Sequence, residues 1–236
     1  MKIVAIIQAR MNSSRFYGKI LEPIESKPLL EHIIDRLKCL LISDKRTQPT
    51  FLDEIVIATT QNEADLKVVE LAKKNNITAF TGSENDVLGR FIMAATSVNA
   101  DHILRVTGDN PLIDIHMLPK MISYHLQKSA DYSYVEGLPY GAGTEIVSFE
   151  TLKKIACLTT KSRDREHVTI YIREHPEQFI IHKIIAEKEL YYPDYRITVD
   201  EKKDLQLIRK IYKLLYQEGK IIDLREVIKL AYPLKK

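Results

Sequence analysis

The sequence predicts a three-layer α/β/α sandwich with a mainly parallel central sheet, and three observations carry that expectation. Short β-branched runs alternate with amphipathic stretches through the first half of the 236 residues. Each amphipathic stretch is long enough to form the crossover that a right-handed βαβ unit needs, which builds a parallel sheet covered on both faces. No internal repeat, low-complexity tract or Gly/Ser linker divides the chain, so a single domain is expected, residues 1–236.

The first strand is expected from Lys2 to Gln8, where the apolar run Ile3 to Ile7 turns polar. Pro28 then suits the first turn of a helix whose Leu30, Ile33, Ile34, Leu37 and Leu41 fall on one face. Strands follow at Glu54 to Thr59, Ile77 to Thr81 and His102 to Val106, each an apolar or β-branched run bounded by polar turns. Between them lie helices from Glu63 to Lys74 and from Asp86 to Val98, the second opened by the capping candidates Ser83 and Asn85. Beyond about residue 114 the pattern loosens. A helix from Asp114 to Gln127, short strands near Tyr132 and Glu145, helices from Phe149 and Arg165, and a β-rich stretch from Phe179 to Ile185 are expected. Arg196 to Val199 reads as a further strand, and the helix after it carries Leu205, Ile208, Tyr212 and Leu215 on one face. In this reading residues 1–113 mainly hold a nucleotide, and residues 114–236 build an acceptor pocket over them.

Charge and composition remove several classes. Lys and Arg exceed Asp and Glu by 35 to 32, and the basic residues are spread along the chain, so nucleic acid is not an expected partner. A local phosphate pocket stays open. The opening apolar run is a strand and not a signal peptide, and no run approaches the roughly 18 apolar residues of a membrane span, so no membrane partner and a cytoplasmic location are expected. Cys39 and Cys157, without CxxC or His spacing, read as reduced structural residues.

In open α/β sheets ligands bind outside the carboxyl ends of the strands, which directs attention to the loops there. The first, QARMNSSRFYGK, gathers Gln8, Ala9, Arg10, Ser13, Ser14, Arg15 and Lys19. Guanidinium forks, an ammonium and backbone N–H groups can surround a triphosphate, although a solvated basic loop has the same composition, and the Walker spacing GxxxxGK is absent. In RVTGDNPLID, Thr107 ends a strand, Gly108 lets the chain turn, and Asp109 could hold a magnesium ion or cap the turn before Pro111. Asp200, in RITVDEKKDL, could do the same or serve as the N-cap of the helix after it. Gly82, Ser83 and Asp86 in GSENDVL could read a nucleobase edge or cap the next helix. Tyr140 and Glu145 in PYGAGTE, and Arg163, Arg165, Glu166 and His167 in SRDREHVT, are candidates for an acidic acceptor, the latter stretch reading equally well as a charged helix start.

These motifs, in this order, resemble the cytidylyltransferases that make CMP-activated sugar acids, the CMP-KDO and CMP-sialic acid synthetases, and among them the spore-coat polysaccharide (SpsF-type) group. The blocks IIQARMNSSRFYGKIL, KPLLEHIIDRLK, IVIATT, FTGSENDVLGRF, RVTGDNPLID, REHVTIYI and YRITVDEKKDL carry the resemblance over nearly the whole chain. It implies the nucleotide-diphospho-sugar transferase fold, GT-A-like and Rossmann-like. It further implies transfer of CMP from CTP to a sugar acid with release of pyrophosphate, Mg²⁺ as cofactor, and a homodimer. By the same resemblance Arg10, Arg15 and Lys19 hold the triphosphate, Arg10, Lys19 and Asp109 are catalytic, and Asp109 and Asp200 bind the metal.

Two positions depart from the family loop, which usually has glycine where this chain has Asn12 and proline where it has Tyr17. Asn tolerates left-handed backbone angles, so the turn is expected to survive, whereas Tyr17 loses proline's rigidity. Two other classes stay open: a glycosyltransferase using a ready-made sugar nucleotide, against which the absence of a DxD pair counts, and a non-catalytic nucleotide-binding subunit.

Overall fold

The computed structural model describes residues 1–41 and 51–231. In chain order its elements are β1 (Ile3–Gln8), β2 (Pro23–Ile24), β3 (Lys27–Pro28), α1 (Leu29–Lys38), β4 (Glu54–Thr60), α2 (Leu66–Lys74), β5 (Thr78–Gly82), α3 (Val87–Ser97) and β6 (His102–Thr107). There follow α4 (Leu118–Gln127), β7 (Tyr132–Glu136), β8 (Glu145–Ser148), α5 (Phe149–Leu158), α6 (Ser162–Glu166), α7 (Ile170–Glu174), β9 (Ile181–Ile185), α8 (Lys202–Leu215) and α9 (Leu224–Ala231).

The seven-stranded sheet runs β5-β4-β1-β6-β8-β7-β9. The four strands expected from the alternating first half pair in parallel, β1 with both β4 and β6, and β4 with β5. β8 enters antiparallel between β6 and β7, and β9 closes the edge parallel to β7. Strand alternation explains why β1 reads as an unbroken apolar run. Ile3, Ala5 and Ile7 point into the core built by α1, α2, α4, α8 and α9, while Val4 and Ile6 point into the one built by α3, α5 and α7. Because the chain leaves β1 toward β4 and β5 and then returns to β6 on the other side, the order reverses between β1 and β6. A crevice opens there at the carboxyl ends.

Several elements differ from the sequence expectation. α4 starts at Leu118 and not at Asp114, because the buried Asp114 carboxylate accepts the Met117 N–H at 2.7 Å and holds a turn first. The second crossover helix opens with a 3-10 turn, Glu63–Asp65. Pro28 sits one residue before α1, as its N-cap. The helix expected from Arg165 is two short ones, α6 and α7, since Val168 is buried at the break and the Thr169 hydroxyl is drawn to Glu145 at 2.7 Å. Asp86 itself caps α3, accepting the Gly89 N–H at 2.8 Å. Arg196 to Val199 is extended but forms only a single bridge, Tyr140 to Arg196. Its N–H groups go to loops, Ile197 to the Tyr140 carbonyl and Val199 to the Asp109 carbonyl, each at 2.9 Å, so it crosses the crevice instead of joining the sheet. Cys39 and Cys157 are free and exposed, which removes a structural role in the core.

At the opposite end of β6 from the crevice, His125 is fully buried, with Ser133 Oγ 2.9 Å from its Nδ1 and His102 Nδ1 3.0 Å from its Nε2. Burial, reinforced by His102, pushes His125 down to about 3, and burial lowers His102 and His32 as well. The unfolded chain, with histidines near 6.5, therefore takes up protons first as pH falls. Stability from these groups is complete above about pH 6.5 and is lost as pH drops from there toward the folded values. The thermal midpoint is expected to fall between pH 7 and pH 5, and His125→Gln to flatten that slope. Melting curves of both proteins across that range check it.

Candidate active site

The loop after β1 is fixed by backbone bonds before any ligand is considered. The Met11 N–H donates to the buried Asp65 carboxylate at 2.6 Å, and the Met11 carbonyl accepts the N–H groups of Ser13 and Gly18 at 3.0 and 2.8 Å. Gly18 has φ +71, and a Cβ there would also come within 3.2 Å of Met11 Cε. This left-handed residue turns the chain so that Lys19 enters the crevice. Gly18→Ala is expected to cost about 1–2 kcal/mol, the penalty of a side chain in the left-handed region, as a lowered melting temperature in differential scanning fluorimetry would show. Gly108 is needed for a different reason: its N–H donates to the Gln8 carbonyl at 2.8 Å, and a Cβ would meet that same oxygen at 2.9 Å.

Lys19 is the meeting point of the crevice. Its buried ammonium donates to Asp109 Oδ2 at 2.7 Å, to the Val199 carbonyl at 2.8 Å and to Asp200 Oδ1 at 3.1 Å. The turn at Asp109 is held by Asn110, whose amide donates to Thr107 Oγ1 at 2.7 Å, so the Asp109 carboxylate is not its cap. Nor does Asp200 cap α8. Glu201 is the N-cap, and Asp204 accepts the backbone N–H groups of Asp200 and Glu201, both at 2.9 Å. The Asp200 carboxylate instead meets Lys19, Arg15 at 2.7 Å, and Arg196. Burial alone would raise its pKa, but Arg196, Lys19 and Arg15 hold it below the usual carboxylate value.

Asp109 and Asp200 converge on one ammonium, and carboxylates are the donors a hard divalent cation takes, often one or two of them together with phosphate oxygens. Among the described residues no group of three or more His, Cys, Asp or Glu side chains could hold a metal. Two carboxylates alone would need further ligands from substrate and water to complete such a site.

Two cavities meet at this pair. The smaller, about 240 Å³, is lined by Gln8, Ala9, Arg10, Ser13, Ser14 and Lys19 from the first loop, and by Glu166 from the second half. The larger, about 480 Å³, is lined by Tyr140 and Glu145 together with Arg105, Arg173 and Asp200. Arg15, Thr107 and Asp109 border both.

The structure does not bring every sequence candidate to the crevice. Gly82, Ser83 and Asp86 line neither cavity. Gly82 packs against Arg90, the Ser83 hydroxyl accepts the Asp86 N–H at 3.1 Å, and Asp86 is bound by Arg165, whose Nε lies 2.8 Å from Oδ1. Burial would raise Asp86, and Arg165 with the Gly89 N–H brings it below its ordinary value. Arg165 and Asp86, expected at the acceptor and at the nucleotide, are paired with one another here and line neither cavity. His167 borders neither cavity, and Glu166 lines the smaller one with the loop after β1, not the larger. Asn12 is not among the described residues with positive φ, so its tolerance of left-handed angles is not used. Its amide donates to Glu84 at 3.0 Å, beside that of Asn62 at 2.8 Å. Tyr17 is exposed.

Sequence reasoning missed Asp65, Arg196, Arg105, Thr169 and Arg173. The last three converge on Glu145, which accepts from Arg105 Nη1 at 3.2 Å, from the Thr169 hydroxyl at 2.7 Å and from Arg173. Burial would raise the Glu145 carboxyl, and the Arg105 and Arg173 charges outweigh it and keep the group ionised. A visible signal existed for Arg105, a charged residue inside the strand HILRVT.

A parallel sheet that opens at its reversal point onto a basic loop and a carboxylate pair places the protein among the nucleotide-handling α/β transferases. The chain belongs to the cytidylyltransferase family, whose model matches residues 4–225. It is 35% identical over 212 residues to the spore coat polysaccharide biosynthesis protein SpsF of Bacillus subtilis, covering 89% of this chain and 86% of that protein. It superposes with a TM-score of 0.86, at 32% identity, on the structure of a cytidylyltransferase from Leptospira borgpetersenii, covering 99% of this chain and 96% of that one. The structure of CMP:2-keto-3-deoxy-manno-octonic acid synthetase complexed with CTP shares the fold, with a TM-score of 0.66 at 15% identity over 91% of this chain and 99% of that one.

Proposed function

We propose that the protein transfers CMP from CTP to a sugar acid of the octulosonate or nonulosonate kind, releasing pyrophosphate, and so supplies an activated sugar for a surface polysaccharide. The observation that carries this reading is the convergence of Asp109 and Asp200 on Lys19 where the two cavities meet. The smaller cavity has the chemistry of a triphosphate site and the larger the chemistry of a polar acceptor site. In this reading residues 1–113 mainly bind nucleotide and residues 114–236 mainly bind the acceptor, with Arg105 and Glu166 crossing that division. Among the described residues no helix is long and apolar enough to cross a membrane, and a cytoplasmic site of action goes with the use of CTP.

Arg10, Arg15 and Lys19 surround the β- and γ-phosphates and oppose the charge that builds on the departing pyrophosphate. Asp109 and Asp200 would hold a divalent ion, Mg²⁺ by preference, which would supply positive charge to the phosphate oxygens and lower the pKa of the acceptor hydroxyl. Arg15 borders both cavities, so it is placed to align the acceptor hydroxyl with the α-phosphorus for in-line attack. Positioning and electrostatics suffice for such a transfer, and no covalent enzyme intermediate is required.

The test is pyrophosphate release with CTP, Mg²⁺ and a panel of sugar acids, with UTP, ATP and GTP as controls. Release with CTP and at least one acid is expected. Release of nucleoside diphosphate from a sugar nucleotide would instead support a glycosyltransferase. CTP binding with no turnover on any acceptor would support a binding-only role.

A further inference from the structure

The larger cavity shows how an acidic acceptor is chosen, given the transfer proposed above. We infer that Arg105 and Arg173 together form the seat for the acceptor's acid group and set the preference for acids over neutral sugars.

Arg105 on β6 lies opposite Glu145 on β8 in the strand register, and Arg173 reaches the same carboxylate from α7. Two guanidiniums thus share one carboxylate, a local excess of positive charge at the Glu145 side of a cavity that Arg15, Asp109 and Asp200 also line. Arg105 Nε is buried and has no hydrogen-bond partner among the described residues. Arg105 bonds Glu145 through Nη1, and the residue lines the cavity, which leaves the rest of its guanidinium fork for a ligand carboxylate. Arg173 is half exposed, held by the Tyr132 hydroxyl 2.9 Å from its Nε, with its guanidinium carbon 5.4 Å from the Tyr134 ring centroid, so it is already oriented toward the cavity.

Tyr140, Thr144 and Asn110 add polar side chains to the same lining. Arg105, Arg173, Asp109 and Asp200 line one cavity, as is required by a sugar acid whose acid group sits on the carbon next to the reacting anomeric carbon. Neither Arg165 nor His167 lines this cavity.

The experiment is calorimetric titration of 3-deoxy-manno-octulosonate and N-acetylneuraminate, each beside its methyl ester, into protein saturated with a non-hydrolysable CTP analogue and Mg²⁺. At least one acid should bind about 30-fold more tightly than its ester, the size expected of charge-assisted hydrogen bonds. Arg105→Met should erase that preference and leave the affinity for the CTP analogue within about two-fold, the latter showing that the variant is folded, while Arg105→Lys should restore part of it. Arg173→Gln, at the half-exposed arm, should act in the same direction even where Arg105 variants fold poorly. Equal binding of acid and ester by the wild type, no binding of either acid, or a preference that survives in both Arg105→Met and Arg173→Gln overturns the inference. Failure of the transfer reading is separate: acid binding that depends on Arg105 without pyrophosphate release would leave the seat standing and remove the reaction.

Discussion

Asp109→Ala is expected to leave a folded protein whose turnover is about 100- to 1,000-fold lower, the scale set by losing a principal electrostatic group at a reacting centre. Folding should survive because the turn around Asp109 does not depend on its carboxylate. The Asn110 amide and Thr107 hydroxyl hold that turn, and the Asp109 side chain is a quarter exposed. Turnover should not survive, because the variant loses one of the two carboxylates that gather at the boundary of the cavities. CTP-dependent stabilisation should become nearly insensitive to Mg²⁺. Initial rates of pyrophosphate release and melting curves with and without the metal check both statements, and near-normal turnover would overturn the assignment.

Lys19→Met should lower turnover by a similar factor, but it should also change stability in a way that Asp109→Ala does not. The Lys19 ammonium is buried and satisfies Asp109, Asp200 and the Val199 carbonyl at once. Removing one partner of such a buried set costs about 3–5 kcal/mol, since the remaining charges lose their compensation. Arg15 and Arg196 still face Asp200, which places the expected loss toward the lower end of that range. A divalent ion can replace part of the missing charge, so Mg²⁺ should raise the melting temperature more in Lys19→Met than in the wild type. An unchanged melting temperature in the metal-free variant would contradict the central place given to Lys19.

The residues of this centre were legible because each stands where an apolar run ends. Lys19 closes the loop after β1, Asp109 follows β6, and Asp200 follows an apolar segment, so position and charge pointed the same way. The four parallel strands were legible for a related reason: burial on both faces leaves runs such as Ile3 to Ile7 with no polar break.

What the sequence concealed is mostly pairing across long separations. Arg165 and Asp86 are 79 positions apart, and nothing local shows that they pair with one another. Glu145 reads as a polar loop residue until β8 places it opposite Arg105 and α7 brings up Arg173. Arg196 to Val199 has the composition of a strand, yet its backbone hydrogen bonds go to loops, a distinction that residue pattern does not encode. The division of residues 162–174 into two short helices is likewise a tertiary effect, since Thr169 bonds Glu145 at the break.

The most direct measurement follows the α-phosphate. With CTP labelled at that position, Mg²⁺ and an accepted sugar acid, the label should appear in a nucleoside-monophosphate sugar, in equal amount to unlabelled pyrophosphate. Label that stays in CTP, or appears only in free CMP or CDP while the sugar acid is unchanged, would contradict transfer of CMP.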